Sequence, residues 1–97
     1  MWSESKNSIG SRGSEGGAII SDDEHSLGAR VTLEKGGDIA PFSITVGVYG
    51  SFFHTTYMGS LSEGEAIFKS MKSDIDEYLN YPQKEESNWV ENFVNRY

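Results

Sequence analysis

Apolar and polar residues alternate along two stretches in the middle of the chain, and this alternation predicts strands that are buried on one face. The first stretch covers residues 29–35 and the second begins at Phe42. The Gly-Gly-Asp sequence at 36–38 lies between them and tolerates the positive φ values that a hairpin connection needs. The apolar residues that share one face of the second stretch are Phe42, Ile44, Val46 and Val48.

A hairpin and a third strand are predicted next. Gly50-Ser51 fits a two-residue type II′ turn, which has glycine at its first position, so residues 52–58 return antiparallel to the second strand. In that register Tyr49 faces Phe52. The residues of the third strand on the core face are then Phe53 and Tyr57. The opposite face carries an unusually aromatic set, namely Tyr49, Phe52, His54, Thr56 and Met58.

Two amphipathic helices are predicted after the sheet. Ser62 and Glu65 have the spacing of a capping box, which marks a helix start, and Pro82 disfavours helix at the residue before it. The apolar residues of this first helix recur at spacings of three and four: Ile67, Phe68, Met71, Ile75, Tyr78 and Leu79. A second stripe consists of Trp89, Val90, Phe93, Val94 and Tyr97. It predicts a short helix over residues 87–97, which is marginal in water unless it docks.

These elements predict an α+β fold: a small antiparallel β-meander of three or four strands packed against one amphipathic helix, with a short C-terminal helix. The domain is expected over residues 18–97, and residues 18–20 form either a short strand or an apolar anchor. Residues 21–26 are polar and are expected to form a turn. Residues 1–17 are predicted to be a disordered tail, because nine of these 17 residues are Ser or Gly and little apolar surface offsets the entropy of ordering them.

Composition and charge restrict the class of partner. The 97 residues include 8 Lys and Arg against 15 Asp and Glu, giving a net charge of −7, and there is no cysteine. A surface of that sign repels nucleic acid and anionic membranes, and a chain without cysteine forms neither disulfides nor thiolate metal sites. No apolar run resembles a signal peptide or a membrane span. We therefore expect a soluble, cytoplasmic protein that binds neither nucleic acid nor membrane.

Two groups of residues have side chains that could bind a metal or act in acid–base catalysis, but neither has the sequence spacing of a known site of that kind. Asp22, Asp23, Glu24 and His25 resemble a metal or acid–base cluster, yet adjacent carboxylates lack the alternate spacing of a calcium loop, and a solvated turn is favoured. His54 lies in the third strand with no nucleophile placed beside it by the sequence, and a hydrogen bond across the sheet is favoured. No catalytic residue, cofactor or metal ligand is predicted.

The surfaces left over favour association. The predicted interaction surface combines the aromatic sheet face with the acidic end of the first helix, where carboxylates oppose the helix dipole. Its residues are Tyr49, Phe52, His54, Met58, Asp74, Asp76 and Glu77. Two ways of covering the aromatic face stay open: the C-terminal helix packs on it, or a second copy of the chain does so across a two-fold axis.

The leading hypothesis is therefore a small acidic, non-catalytic interaction module that self-associates or binds a protein partner. One alternative is an acidic inhibitor of immunity type that masks a basic enzyme, whose affinity should weaken steeply with salt. The other is a small hydrolase or ligand-binding domain that uses His54 with Tyr49, Tyr57 or residues 22–25. It requires a concave pocket that holds His54 beside a carboxylate.

Overall fold

The computed structural model describes residues 1–81 and 86–97, and five strands and two helices lie in these ranges. The strands are β1 (Trp2–Glu4), β2 (Ala18–His25), β3 (Ala29–Lys35), β4 (Phe42–Val48) and β5 (Phe52–Met58). A single turn of 3-10 helix at Lys6–Ser8 follows β1. The helices are α1 (Leu61–Asn80) and α2 (Glu86–Arg96).

The order of the strands along the chain is also their order in the sheet, and every neighbouring pair is antiparallel. This arrangement confirms the predicted α+β meander with its long and short helices. The sheet of the described residues has five strands rather than three or four, because β1 and a full-length β2 join it. β3 has the bounds that the alternating pattern predicted, and β5 has the bounds expected of the strand that returns after the turn.

β2 corrects the polar turn that was expected at residues 21–26. Most of that segment lies inside the strand, although it contains four ionisable residues in succession. Three of them have charged or polar partners elsewhere in the fold: Asp22 with Arg30, Asp23 with Lys72, and His25 with Asp76. Polar side chains whose hydrogen bonds are satisfied can be buried, so the charge of this segment does not exclude it from the sheet.

The β4–β5 hairpin corrects the predicted register by one residue. Its loop has three residues (49–51) rather than two, and the Ser51 N–H donates to the Val48 carbonyl at 3.0 Å. Gly50 has a φ of 78°, the positive value that the third position of a type II turn requires. Val48 therefore pairs with Phe52. Because a shift of one residue exchanges the two faces of a strand, the predicted assignment of β5 side chains is inverted.

Both helices pack on the same face of the sheet, and the hydrophobic core lies between them and the strands. The core includes the alternating residues of β3 and β4 that the sequence predicted, together with Phe68, Met71 and Ile75 of α1. α2 docks through Phe93, which is 2% exposed and whose ring centroid lies 5.5 Å from that of Phe52. The predicted C-terminal stripe thus covers Phe52, but beside α1 rather than on the opposite face.

α1 begins at an N-cap two residues before the predicted one. The Ser60 hydroxyl accepts the Glu63 N–H at 3.3 Å, and Ser60 and Glu63 have the same spacing as the predicted pair Ser62 and Glu65. α1 ends at Asn80. Pro82, which was expected to stop this helix, lies outside the described residues.

Residues 1–17, called the N-terminal segment below, lie along the sheet instead of forming the expected disordered tail. The first residues of this segment form β1, which pairs with β2. Trp2 packs edge-on against the His25 ring, with centroids 4.9 Å apart, and its indole N–H donates to the Lys72 carbonyl at 3.2 Å. An aromatic residue near the start of the chain therefore helps to fix the segment to both the sheet and α1.

A buried carboxylate fixes the other end of the N-terminal segment. Glu34 of β3 is fully buried, and its Oε1 accepts the backbone N–H groups of Glu15 and Gly17, each at 3.1 Å. A Cβ on Gly13 would lie 2.2 Å from the Glu34 carboxyl carbon. The glycine content that predicted disorder therefore permits the backbone to approach a charged group closely.

Candidate interaction surface

The face of the sheet turned away from the helices, called the open face below, contains a groove of about 340 Å³. Its floor is formed by alternate residues of β3 and β4, among them Thr32 and Thr45. One wall is the N-terminal segment at Arg12 to Ser14, and the other includes the rings of Tyr49 and Phe53. The groove therefore joins a polar floor to an aromatic wall at the β5 side of the sheet.

Asp22 holds the polar end of the open face together. It is fully buried and accepts hydrogen bonds from Arg30 Nε (2.8 Å), Thr32 Oγ1 (3.0 Å) and Ser8 Oγ (2.6 Å). Burial alone would raise the pKa of Asp22, but these hydrogen bonds outweigh it and hold the pKa below its ordinary value. The Asp22 side chain thus acts as a structural anchor for Arg30 and for the N-terminal segment.

The charged side chains of the groove differ in whether they already have partners within the described residues. Arg30 is paired with Asp22, and Glu34 accepts backbone N–H groups. Arg12 is exposed and makes no side-chain hydrogen bond or ion pair with any residue of the described ranges. Of these three charged side chains of the groove, Arg12 is therefore the one left available for contact with a ligand or partner.

An aromatic row lies along the β5 side of the open face and is formed by Tyr49, Phe53 and Tyr57. Their exposed fractions are 57%, 75% and 42%, which are large values for aromatic side chains. The Phe53 ring lies over Gly47, where an added Cβ would come within 2.7 Å of a ring carbon. The Tyr57 hydroxyl donates to the Glu15 carboxylate at 2.6 Å. Contacts with Gly47 and Glu15 therefore fix the positions of Phe53 and Tyr57, while much of each ring stays exposed to solvent.

β5 is the outermost strand on this side of the sheet, so its outer row of backbone N–H and C=O groups has no strand partner in the described residues. Proteins usually protect such an edge with lysine, proline, a bulge or a very short strand. β5 has seven residues, no charged residue and no proline, and its pairing with β4 has no bulge. The other edge strand, β1, has three residues and carries Glu4.

The structure places the predicted sheet residues on different sides. Tyr49 lies in the aromatic row, as expected, but Phe52, His54 and Met58 face the helices. Phe52 contacts the Trp89 ring, with centroids 6.0 Å apart, and Met58 is 4% exposed. These corrections follow from the three-residue hairpin loop. Phe53 and Tyr57 take the places opposite Gly47 and Ser43 that the predicted register gave to His54 and Met58, and a loop with glycine at its centre was the signal that could have found them.

His54 does not lie in the groove. Its side chain is half-buried on the helix side of β5, and its Nε2 atom is buried with no hydrogen-bond partner among the described residues. Neither a carboxylate nor a nucleophile of the described residues is bonded to that nitrogen. The hydrolase hypothesis requires a carboxylate beside His54. The described part of the chain places none in hydrogen-bond contact with His54 Nε2.

The acidic end of α1 has compensating partners. Asp74 accepts hydrogen bonds from Arg96 (2.8 Å) and from the Tyr97 hydroxyl (2.5 Å). Asp76 bonds to His25 Nε2 at 2.6 Å, and this hydrogen bond lowers the pKa of Asp76. Glu77 is exposed. Two of the three carboxylates that suggested an acidic interaction surface thus have structural roles.

Metal ligation finds no support in the geometry of residues 22–25. Neighbouring side chains of a strand point to opposite faces, so Asp22 lies under the groove while Asp23 and His25 face α1. Within residues 1–81 and 86–97, no group of three or more His, Asp or Glu side chains could hold a metal ion.

Comparison of the chain with protein-family models, with curated proteins and with solved structures found no match. Neither α1 nor α2 is long and apolar enough to cross a membrane. The surface itself is therefore the basis for a functional proposal.

Proposed function

We propose that this chain is a small acidic, non-catalytic interaction module that binds a polypeptide partner at the β5 edge. The observation that carries the proposal is the combination of an uncharged, unprotected edge strand with the exposed aromatic row beside it. A partner strand that pairs with β5 would satisfy the outer backbone groups. The proposal keeps the cytoplasmic location expected from the sequence.

The two parts of this surface would contribute in different ways. Backbone hydrogen bonds give a strand-addition interface its affinity, and side chains on alternate positions give it specificity. On β5 the alternate positions of the open face are Phe53, Thr55 and Tyr57. Aromatic side chains are enriched where proteins associate, and contact with a partner would remove the exposed rings of Phe53 and Tyr57 from water.

Site-specific photocrosslinking tests this proposal. A photoreactive benzoylphenylalanine at position 53 should crosslink to a polypeptide, either to a second copy in the purified protein or to another protein in an extract of the cells that make it. The matched control is the same group at Leu27, which is 56% exposed but lies in the β2–β3 connection. The additional change Thr55→Lys, which places a charge on the edge strand, should abolish the product. Equal products at both positions, or none at position 53, would contradict the proposal.

The acidic inhibitor remains a second candidate because of the net charge of −7. Ionic strength separates the two functions. Affinity that rests on opposite charges falls steeply as salt is added, whereas pairing of uncharged strands is largely independent of salt. A crosslink at position 53 that keeps its yield from low to high salt supports edge pairing, and one that disappears supports the inhibitor.

A further inference from the structure

We infer that the partner of β5 is a second copy of this chain, with the two β5 strands paired antiparallel across a two-fold axis at Thr55. This inference rests on the proposed function and names the partner. Thr55 is the central residue of Phe52–Met58, so an axis at this position pairs all seven residues of one strand with all seven of the other. Two five-stranded sheets would then form one continuous sheet of ten strands.

Strand β5 is complementary to itself about that axis. Residues that face each other across an antiparallel pair have side chains on the same face of the sheet. The axis therefore places Phe53 of one copy opposite Tyr57 of the other, twice, with Thr55 opposite Thr55 between them. All of these side chains lie on the open face. The two aromatic rows become neighbours, which is the isologous contact that two-fold symmetry requires.

Charge favours this edge for contact between two copies. Each copy carries −7, so copies repel one another wherever acidic groups approach. No charged residue lies in β5, whereas the edge strand β1 carries Glu4. On the open face, the Tyr57 hydroxyl of β5 donates a hydrogen bond to the Glu15 carboxylate. The two Tyr57 residues would lie about 14 Å apart along the strands, at four residues of about 3.4 Å each, which exceeds a Debye length of about 10 Å.

The size of the contact predicts a reversible dimer. One pair of seven-residue strands with two pairs of aromatic rings is smaller than the interfaces of permanent complexes, which bury more than about 2,000 Å². We therefore expect the mass in sedimentation equilibrium to rise with concentration from 10.8 kDa towards twice that value. The Thr55→Lys variant should keep the monomer mass at every concentration, because it places two like charges opposite each other at the axis.

The absence of cysteine from the chain makes the register directly testable. In Thr55→Cys the only two thiols of a dimer would face each other, with Cβ atoms about 4.5–5.5 Å apart, at the upper end of the span of about 3.5–4.5 Å that a disulfide bridges, so a small adjustment of the two strands closes it. Mild oxidation should convert this variant to a covalent dimer. Thr45→Cys is the matched control, because Thr45 faces Thr55 from β4 and lies one strand further from the axis. It should stay monomeric at the same concentration.

A mixing experiment fixes the register further. Phe53→Cys and Tyr57→Cys should each fail to form a disulfide alone, since identical positions lie about 14 Å apart along the strands. Their equimolar mixture should crosslink. Circular dichroism and urea unfolding of each variant establish that it has folded before oxidation is compared.

The outcomes separate the inference from the proposed function. A constant monomer mass for the wild-type chain, together with a photocrosslink from position 53 to a different polypeptide, overturns self-pairing and leaves the interaction module standing. No mass change and no photocrosslink overturn both. A wild-type dimer that Thr55→Lys leaves intact, or that forms no disulfide in Thr55→Cys, overturns pairing at this axis.

Discussion

Replacement of Asp22 by Asn tests whether the buried carboxylate anchors the open face. The substitution keeps the shape of the side chain and removes its charge. It leaves Arg30, which donates to Asp22 through Nε at 2.8 Å and Nη2 at 2.5 Å, beside a neutral amide. It also weakens the hydrogen bond that the Ser8 hydroxyl of the N-terminal segment donates at 2.6 Å.

The expected loss of stability follows from the exposure of the two partners. Breaking a buried ion pair costs about 3–5 kcal/mol, because the remaining charge stays buried without a partner. The Asp22 side chain is 0% exposed but that of Arg30 is 41% exposed, so Arg30 regains part of its hydration. We expect the free energy of unfolding to fall by about 2–3 kcal/mol at neutral pH. With a urea slope of about 1–3 kcal/mol per M, the midpoint falls by about 0.7–3 M.

Urea unfolding followed by tryptophan fluorescence measures this difference. Glu24→Gln is the matched control, because Glu24 is exposed on the same strand and its loss should change stability by less than about 0.5 kcal/mol. Asp22→Asn combined with Arg30→Met should be more stable than Asp22→Asn alone, since the unpaired guanidinium is then absent. Equal midpoints for Asp22→Asn and the control would refute the role given to Asp22.

The pH dependence has a definite sign. The hydrogen bonds to Asp22 hold its pKa below the ordinary value of 3.8, so the ionised form is favoured in the folded state. The stability that it contributes is therefore fully present above about pH 3.8 and is lost as the pH falls through the folded-state pKa. The difference between wild type and Asp22→Asn should be constant near neutral pH and should close under acid conditions.

Three further predictions concern the N-terminal segment, the docking of α2 and the aromatic row. Glu34→Gln should lower stability by about 1–3 kcal/mol, because one acceptor of buried backbone N–H groups becomes a donor, and trypsin should then cleave after Arg12 faster than in the wild type. Phe93→Ala should cost about 3–5 kcal/mol in urea unfolding, as for a fully buried aromatic ring. In the wild-type chain, Gly47→Ala should leave the free energy of unfolding unchanged or lower it, because the new methyl group meets the Phe53 ring. In a Phe53→Ala background the same change should raise the free energy of unfolding by about 0.5–1 kcal/mol. Equal effects in both backgrounds would contradict the packing of that ring.

The parts of the fold that the sequence predicts are those where hydrophobic burial alone decides the structure. β3 alternates strictly between apolar and polar residues, and α1 has an apolar stripe at helical spacing, so both were predicted close to their bounds. The docking of α2 followed in the same way, because a stripe that contains Trp89 and Phe93 must find apolar surface.

The remaining parts depend on contacts between residues that are distant in sequence. The sequence of β2 is typical of a turn because it contains consecutive ionisable residues. It forms a strand because Lys72 and Asp76, on a helix some fifty positions later, pair with Asp23 and His25. The alternating pattern likewise predicts that Glu34 faces solvent. Its carboxylate is buried because the backbone N–H groups of Glu15 and Gly17 donate hydrogen bonds to it.

The candidate surface was misplaced for a local reason. The sequence Tyr49-Gly50-Ser51 is compatible with a two-residue turn that starts at Gly50 and with a three-residue loop that has Gly50 at its centre. The two loops differ by one residue, and that difference exchanges Phe52 and His54 with Phe53 and Tyr57. An aromatic face was correctly expected on this hairpin, but of its predicted members Tyr49 alone lies there in the described structure.

The central claim is that the outer edge of β5, with Phe53 and Tyr57 beside it, is the surface through which this chain associates. A dilution series of amide nuclear magnetic resonance spectra of the ¹⁵N-labelled chain tests it most directly. We predict that the amide signals of residues 52–58 shift or broaden with concentration, while those of Trp2–Glu4 at the other edge do not. Concentration-dependent changes confined to β1 or to the acidic end of α1, with β5 unchanged, would contradict the claim.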